Sequence, residues 1–242
     1  MNNWKKVWQQ RSANPDILTG NDKQKIFLEL KRSNGFDLMN GGLTYEALIE
    51  QYNQIKQELF CGWTGRSENS DHTNCKNVYE VGCGSGASLY LFENDGIQCG
   101  GLDYSEHLLE SAKRVLRTKD LCCDEAVNLD TESKYTAILS NSVFSYFEDE
   151  KYAYQVLEKM YEKTLCSIGI IDIHDIKKKE DFIRYRRQNI EDYEEKYKNL
   201  PKLFYSKNFF LDFAESHDMD IKFTCSTTKG YWNNDYVFHC YL

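Results

Sequence analysis

Asn77-Val-Tyr-Glu-Val-Gly-Cys-Gly-Ser-Gly86, with Asp103 seventeen residues further on, is the stretch from which the fold can be read. Val78 and Val81 are β-branched residues of the kind that fill a buried parallel strand, and glycines follow at once. Without a Cβ, Gly82, Gly84 and Gly86 let the backbone turn sharply and come close to a ligand. Residues 87–93 read as a helix leaving that turn, and Ile97-Gln-Cys-Gly-Gly-Leu-Asp103 reads as a second strand ending in an acid. Strand, glycine turn, helix and acid-tipped strand together make a mononucleotide-binding βαβ half.

Two cofactor classes fit such a half. Gly82, Gly84 and Ala87 satisfy the dinucleotide pattern Gly-x-Gly-x-x-Gly/Ala, which keeps an NAD(P)-linked oxidoreductase open as an alternative. Glu80, two residues before the first glycine, favours a cationic ligand, because a carboxylate attracts an ammonium and repels a pyrophosphate. Glu80 followed by Gly-x-Gly-x-Gly resembles motif I of the class I S-adenosylmethionine (SAM)-dependent methyltransferases. That resemblance implies SAM as cofactor and S-adenosylhomocysteine (SAH) as product. It also implies a cofactor site made of Glu80, the loop residues Gly82, Cys83, Gly84 and Gly86, and Asp103 at the ribose with Tyr104 beside it. Glu125 and Ala126, with Asp124 before them, are the candidates at the adenine amine, and Ser140 and Asn141 complete the set.

The rest of the chain narrows the class. Its 242 residues suffice for one sizeable domain with an added segment, and 41% apolar with 14% aromatic residues can bury a core. A net charge of −8 argues against a nucleic-acid groove, which needs a basic face. No stretch of about 18 apolar residues and no charged–apolar–small N-terminal pattern occurs, so a cytoplasmic protein without a membrane span is expected. The nine cysteines form no Cys-x-x-Cys pair and no zinc spacing; they read as reduced thiols used as small hydrophobes, with no metal.

Residues 1–60 show helical spacing only, with Trp4 and Trp8 on one face, Ile26, Phe27 and Leu30 on another, and Thr44 placed to cap a third helix. The glycine-punctuated link 34–42 suits a hinge, and the polar stretch 61–77, with His72, reads as a loop and soft boundary. Residues 1–76 are therefore expected to be a helical lid and linker, and 77–242 the SAM-binding core. Later strands are expected at 121–126, 135–139 and 165–171, with a helical insertion at 176–200 ended by Pro201. Two final strands, 221–225 and 236–242, lie too close in sequence for a parallel crossover and must pair antiparallel. Ser140-Asn-Ser-Val-Phe-Ser-Tyr-Phe147 is similar to the Asn-Ser-Val-x-x-Tyr-Phe segment of bacterial small-molecule methyltransferases. The combined resemblance implies a doubly wound α/β fold: a mostly parallel seven-stranded sheet closed by an antiparallel hairpin.

In such sheets ligands lie beyond the carboxyl ends of the strands. That edge gathers Tyr146, Asp172 and His174, and the loop 226–235 brings Tyr231, Trp232 and Asn233 to line an acceptor pocket. A hydroxyl or ammonium acceptor needs a base for its proton. His174 titrates nearest neutrality and is the first candidate, with Asp172 and Tyr146 orienting it or the acceptor. Ser140, where many family members carry Asn or Asp, and Tyr146, where a catalytic His is frequent, depart from the family pattern. The expectation is a methyltransferase acting on O or N of a small biosynthetic intermediate (a sugar, amino-acid or peptide-like metabolite), as monomer or homodimer. A non-catalytic SAM-binding protein is the remaining alternative.

Overall fold

The computed structural model describes residues 3–36, 42–61 and 76–242. Residues 37–41 of the glycine link and 62–75 of the polar stretch, His72 included, lie outside them. Among the described residues four helices precede the first strand: α1 (Asn3–Gln9), α2 (Pro15–Leu18), α3 (Lys23–Ser33) and α4 (Tyr45–Cys61). Asp22 caps α3 by accepting from Lys25 N at 3.1 Å, and Thr44 caps α4 by accepting from Ala47 N at 3.2 Å. Alternation then begins with β1 (Asn77–Val81), α5 (Ala87–Asn94), β2 (Gln98–Asp103), α6 (Glu106–Val115), β3 (Leu121–Cys123) and β4 (Tyr135–Asn141). It continues with α7 (Glu150–Lys163), β5 (Thr164–His174), α8 (Lys179–Asn189), α9 (Tyr193–Tyr197), α10 (Lys207–Ser216), β6 (Lys222–Cys225) and β7 (Val237–Tyr241).

The strands form one sheet in the order β3-β2-β1-β4-β5-β7-β6. β1 to β5 run parallel, and β7 pairs antiparallel with both β5 and β6. Strand order reverses between β1 and β4, which makes their carboxyl ends the switch point where such sheets bind ligands. Side chains alternate between two apolar layers, as a period of two requires. Val78, Ala137, Leu139 and Ile171 join α3, α4, α5 and α6 on one face. Tyr79, Val81, Ile138 and Ile170 join α7 and α10 on the other, where Phe210 and Phe213 are fully buried.

The N-terminal helices divide their labour. Leu30 of α3 and Leu59 of α4 are buried in the first layer, so these two helices help to complete the sheet's core. Close approach of α4 depends on Gly169 in β5, where a Cβ would stand 2.9 Å from Leu59 Cδ2. Short α1 instead lies at the ligand edge, with Trp4 and Trp8 both edge-on to the ring of Tyr146 at 4.9 and 5.1 Å.

Two expectations need correction. The fifth strand does not stop at Ile171: β5 runs to His174, through a register shift between Ile170 and Ile173. Asp172 sits in that irregularity with φ +58°, a left-handed conformation costly for a residue with a side chain. The bulge lets Ile171 and Ile173 face opposite layers although they are two apart. The thiols are also only partly core: Cys83, Cys99 and Cys240 are buried, whereas Cys122, Cys123, Cys166 and Cys225 are exposed. β3 and β6 are the sheet's outer strands, so Cys122, Cys123 and Cys225 have no layer to enter.

Candidate active site

The glycine turn is a clamped structure. Gly82, Gly84 and Gly86 all have positive φ (77°, 54° and 78°), which accounts for the glycines. Gly82 N and Cys83 N donate to Leu102 O at 2.7 and 3.0 Å, tying the turn to β2. From the other side Asn34, which caps the end of α3, accepts from Ser85 N and Ser85 Oγ, each at 2.8 Å. Asp103 closes the arrangement: Oδ2 accepts from Gly84 N and Oδ1 from Ser105 N, both at 2.8 Å. Burial raises the Asp103 carboxyl and the two amides oppose that. Each oxygen keeps a lone pair for a ligand hydroxyl.

Glu80 lies beneath the turn, 3% exposed, with Oε2 lacking any hydrogen-bond partner. Burial pushes its carboxyl up to about 8, against the opposing pull of Ser88 and Lys31. Lys31, from α3, is a cation held low by burial and drawn back up by Asp172 and Glu80. Its ammonium is 4.0 Å from the centre of the Phe36 ring. At the β3 end, Asp124 N donates to Asp103 O at 3.2 Å, and Lys5 of α1 forms an ion pair with Glu125. The Lys5 ammonium also lies 5.5 Å from the Tyr104 ring.

A second polar group gathers around the β5 bulge. Asp172 N donates to His239 Nδ1 at 3.1 Å, so that imidazole carries its proton on Nε2. Asp172 Oδ2 accepts from Ser142 Oγ at 2.8 Å and from Tyr231 Oη at 3.0 Å, while Oδ1 has no partner. Burial and Asp172 hold the Tyr231 phenol well above its ordinary value, so it remains a donor. Asn233 Nδ2 reaches Tyr231 Oη at 3.3 Å and His174 Nε2 at 3.5 Å. His174 is buried between Phe182 and Phe204, and burial, then Lys202 and Arg186, lower its pKa well below the usual value. Its imidazole is neutral.

Both groups open on one cavity of about 1100 Å³. That is at the upper end of what one drug-sized ligand occupies, roughly 300–1,000 Å³, and leaves room for two molecules. Of the residues singled out in the sequence, Glu80, Gly82, Gly84, Asp103, Tyr104, Glu125, Ala126 and Asn141 line it, as do Tyr146, Asp172, His174, Tyr231, Trp232 and Asn233. Cys83, Gly86 and Ser140 do not. Cys83 is 1% exposed and packs toward Gly101, Gly86 backs onto Leu116 and Ala112, and Ser140 Oγ donates to Val81 O at 3.0 Å, fastening β4 to β1. Lys31, Ser142, His239 and Arg186 were not anticipated. Asn141-Ser-Val carried a signal for Ser142; the others reach the site through packing, with no local pattern to mark them.

Residues 79–171 match the family described as a methyltransferase domain. That match runs from β1 into β5, and the chain has the class I methyltransferase fold. Among solved structures, the plantazolicin methyltransferase BpumL in complex with SAH is 17% identical, covering 98% of this chain and 95% of that chain with a TM-score of 0.61. Magnesium protoporphyrin IX methyltransferase (ChlM) from Synechocystis PCC 6803 with bound SAM is 13% identical, covering 92% and 97% with a TM-score of 0.55. No curated protein sequence matches the chain. The glycine pattern alone had left a dinucleotide cofactor open; the match to a methyltransferase domain and the antiparallel β7 favour SAM. SAM, the methyl donor of such domains, fits the residues present. The orphaned Glu80 Oε2 suits its ammonium and the free lone pairs of Asp103 suit its ribose hydroxyls.

Proposed function

We propose that the protein transfers a methyl group from SAM to an O or N atom of a small biosynthetic intermediate, a sugar, amino-acid or peptide-like metabolite. The observation that carries this reading is the single cavity joining Glu80 and Asp103 to Asp172, His174 and Tyr231. In it Glu80 holds the ammonium of the methionine moiety, with Lys31 close enough in charge to face its carboxylate. Asp103 holds the ribose, and Tyr104, Glu125 and Ala126 border the adenine.

Bound SAM supplies a methyl on positively charged sulfur whose leaving thioether needs no acid. What remains for the chain is alignment of the nucleophile, worth several kcal/mol of the barrier, and removal of its proton. Asp172 is held by Ser142, Tyr231 and His239, so its free Oδ1 is a fixed acceptor for a proton-bearing nucleophile. Neutral His174 has an unpartnered Nδ1, the ring atom that would take the acceptor's proton, while Asn233 stands 3.5 Å from Nε2. Tyr146 forms part of the wall, braced by Trp4 and Trp8. α1, the part of the 1–76 segment nearest the cavity, acts as the lid, fastened by Lys5 to Glu125, and excludes water during transfer.

Calorimetry with SAM, SAH and NADH, followed by methyl-transfer assays against hydroxyl and amine acceptors, tests this reading. SAM and SAH are expected to bind and NADH is not. A protein that binds SAH yet methylates no acceptor is the non-catalytic alternative, and one that prefers NADH refutes the proposal outright.

A further inference from the structure

The least exposed lysine and arginine side chains among the described residues are Lys163 at 2% and Arg186 at 4%. Lys163 is accounted for: its ammonium donates to Asp130 O and Ser133 O, both at 2.8 Å. Arg186, by contrast, has its guanidinium set among aromatic rings. Its guanidinium carbon lies 4.4 Å from the Tyr197 ring centre, 5.5 Å from Phe182, and 5.6 Å from both Tyr193 and Trp232. Among the described residues no carboxylate stands within 4.0 Å of it. A guanidinium cannot shed its proton to escape burial, and ring faces offset only part of the desolvation. The charge calls for a counter-ion.

Arg186 also lines the cavity, as His174 does. Phe182 touches both, at 4.8 Å from the His174 ring and 5.5 Å from the guanidinium. Lys196 and Lys202 share this wall, so a protein of net charge −8 presents cations where the acceptor enters. We infer that Arg186 anchors an anionic group of the methyl acceptor, a carboxylate or a phosphate, while the acceptor's nucleophile faces Asp172 and His174. The inference rests on the methyltransferase reading for the word acceptor, but not for the anion site itself. Arg186 is a binding residue here, and its planar fork matches either anion bidentately.

Trp4, Trp8 and Trp232 line the same cavity, so tryptophan fluorescence reports on its contents. The protein, with and without saturating SAH, is titrated with benzoate, phenyl phosphate and neutral benzamide. At least one anion is expected to bind tenfold or more tighter than benzamide, and the better of the two identifies carboxylate or phosphate. Arg186→Met should erase that preference while SAH affinity stays within twofold, and Arg186→Lys should keep part of it. Equal binding of benzamide and both anions, or undiminished anion binding by Arg186→Met, overturns the inference. Should Arg186→Met fail to fold, the wild-type comparison of charged and neutral probes still decides. Failure of SAH to bind the wild type would strike the methyltransferase reading instead, and the titration without SAH still tests Arg186.

Discussion

Replacing Glu80 by Gln removes one titrating group and almost no volume, which isolates the effect of a carboxyl buried under the glycine turn. Burial pushes that carboxyl from 4.5 to about 8, a displacement worth at most about 5 kcal/mol. The sign follows from proton counts. Between pH 5 and 8 the folded, cofactor-free protein keeps a proton on Glu80 that the unfolded chain has lost. The stability contribution is thus complete below about pH 4.5 and disappears as pH rises through about 8. An amide in its place cannot titrate, so the Glu80→Gln variant should be about as stable as wild type at pH 5 and more stable by several kcal/mol at pH 9. Denaturant unfolding without cofactor at pH 5, 7 and 9 measures this. A ligand ammonium beside Glu80 favours the carboxylate, so wild-type SAM binding expels a proton and tightens toward pH 8. The Glu80→Gln variant should bind SAM more weakly and without that pH dependence. Parallel stability profiles for the two proteins, or an identical pH dependence of SAM affinity, would refute the reasoning.

Asp103→Ala removes the proposed ribose acceptor and strands the N–H groups of Gly84 and Ser105; calorimetry should show SAH affinity falling at least about a hundredfold. His174→Gln should lower kcat across the pH range while SAH affinity holds, and the wild-type rate should show no limb near 6.5, because burial keeps the imidazole neutral there. Tyr231→Phe deletes a donor to Asp172 and should cost about 1–3 kcal/mol in kcat/KM, roughly a 5- to 150-fold drop measured in methyl-transfer assays. If α1 is the lid, amide exchange in residues 3–9 should slow when SAH is added; equal exchange with and without SAH would count against closure.

The fold was legible where its determinants are local. The β1 turn, with its acid and glycines, reads directly because strand, turn and helix are consecutive and each positive φ is met by a glycine. The β6–β7 pairing followed from a separation too short for any other connection. The β5 bulge was not legible: Ile170, Ile171 and Ile173 look like an uninterrupted apolar strand, and only packing against both layers shows that Asp172 must break the alternation. Counting thiols as core failed for a similar reason, since a three-residue strand at the sheet's edge has no second neighbour to bury Cys122 and Cys123.

The two halves of the site differ in how much of them is written along the chain. Gly84 and Asp103, bonded to one another, are 19 residues apart within one βαβ unit, so their spacing survives as a motif. On the acceptor side Ser142 and Asp172 are 30 apart, Asp172 and Tyr231 are 59 apart, and Asp172 meets His239 across 67 residues. No spacing rule joins such residues; strand order does. Arg186 is the extreme case, one arginine in a charged helix of the 176–200 segment, distinguished only because the Trp232 loop and α9 fold over it. On the proposed reading, cofactor recognition is carried by residues close in sequence and acceptor recognition by contacts that the sheet brings together. Changes at Arg186 or Trp232 should accordingly alter what is methylated while leaving the affinity for SAH nearly intact.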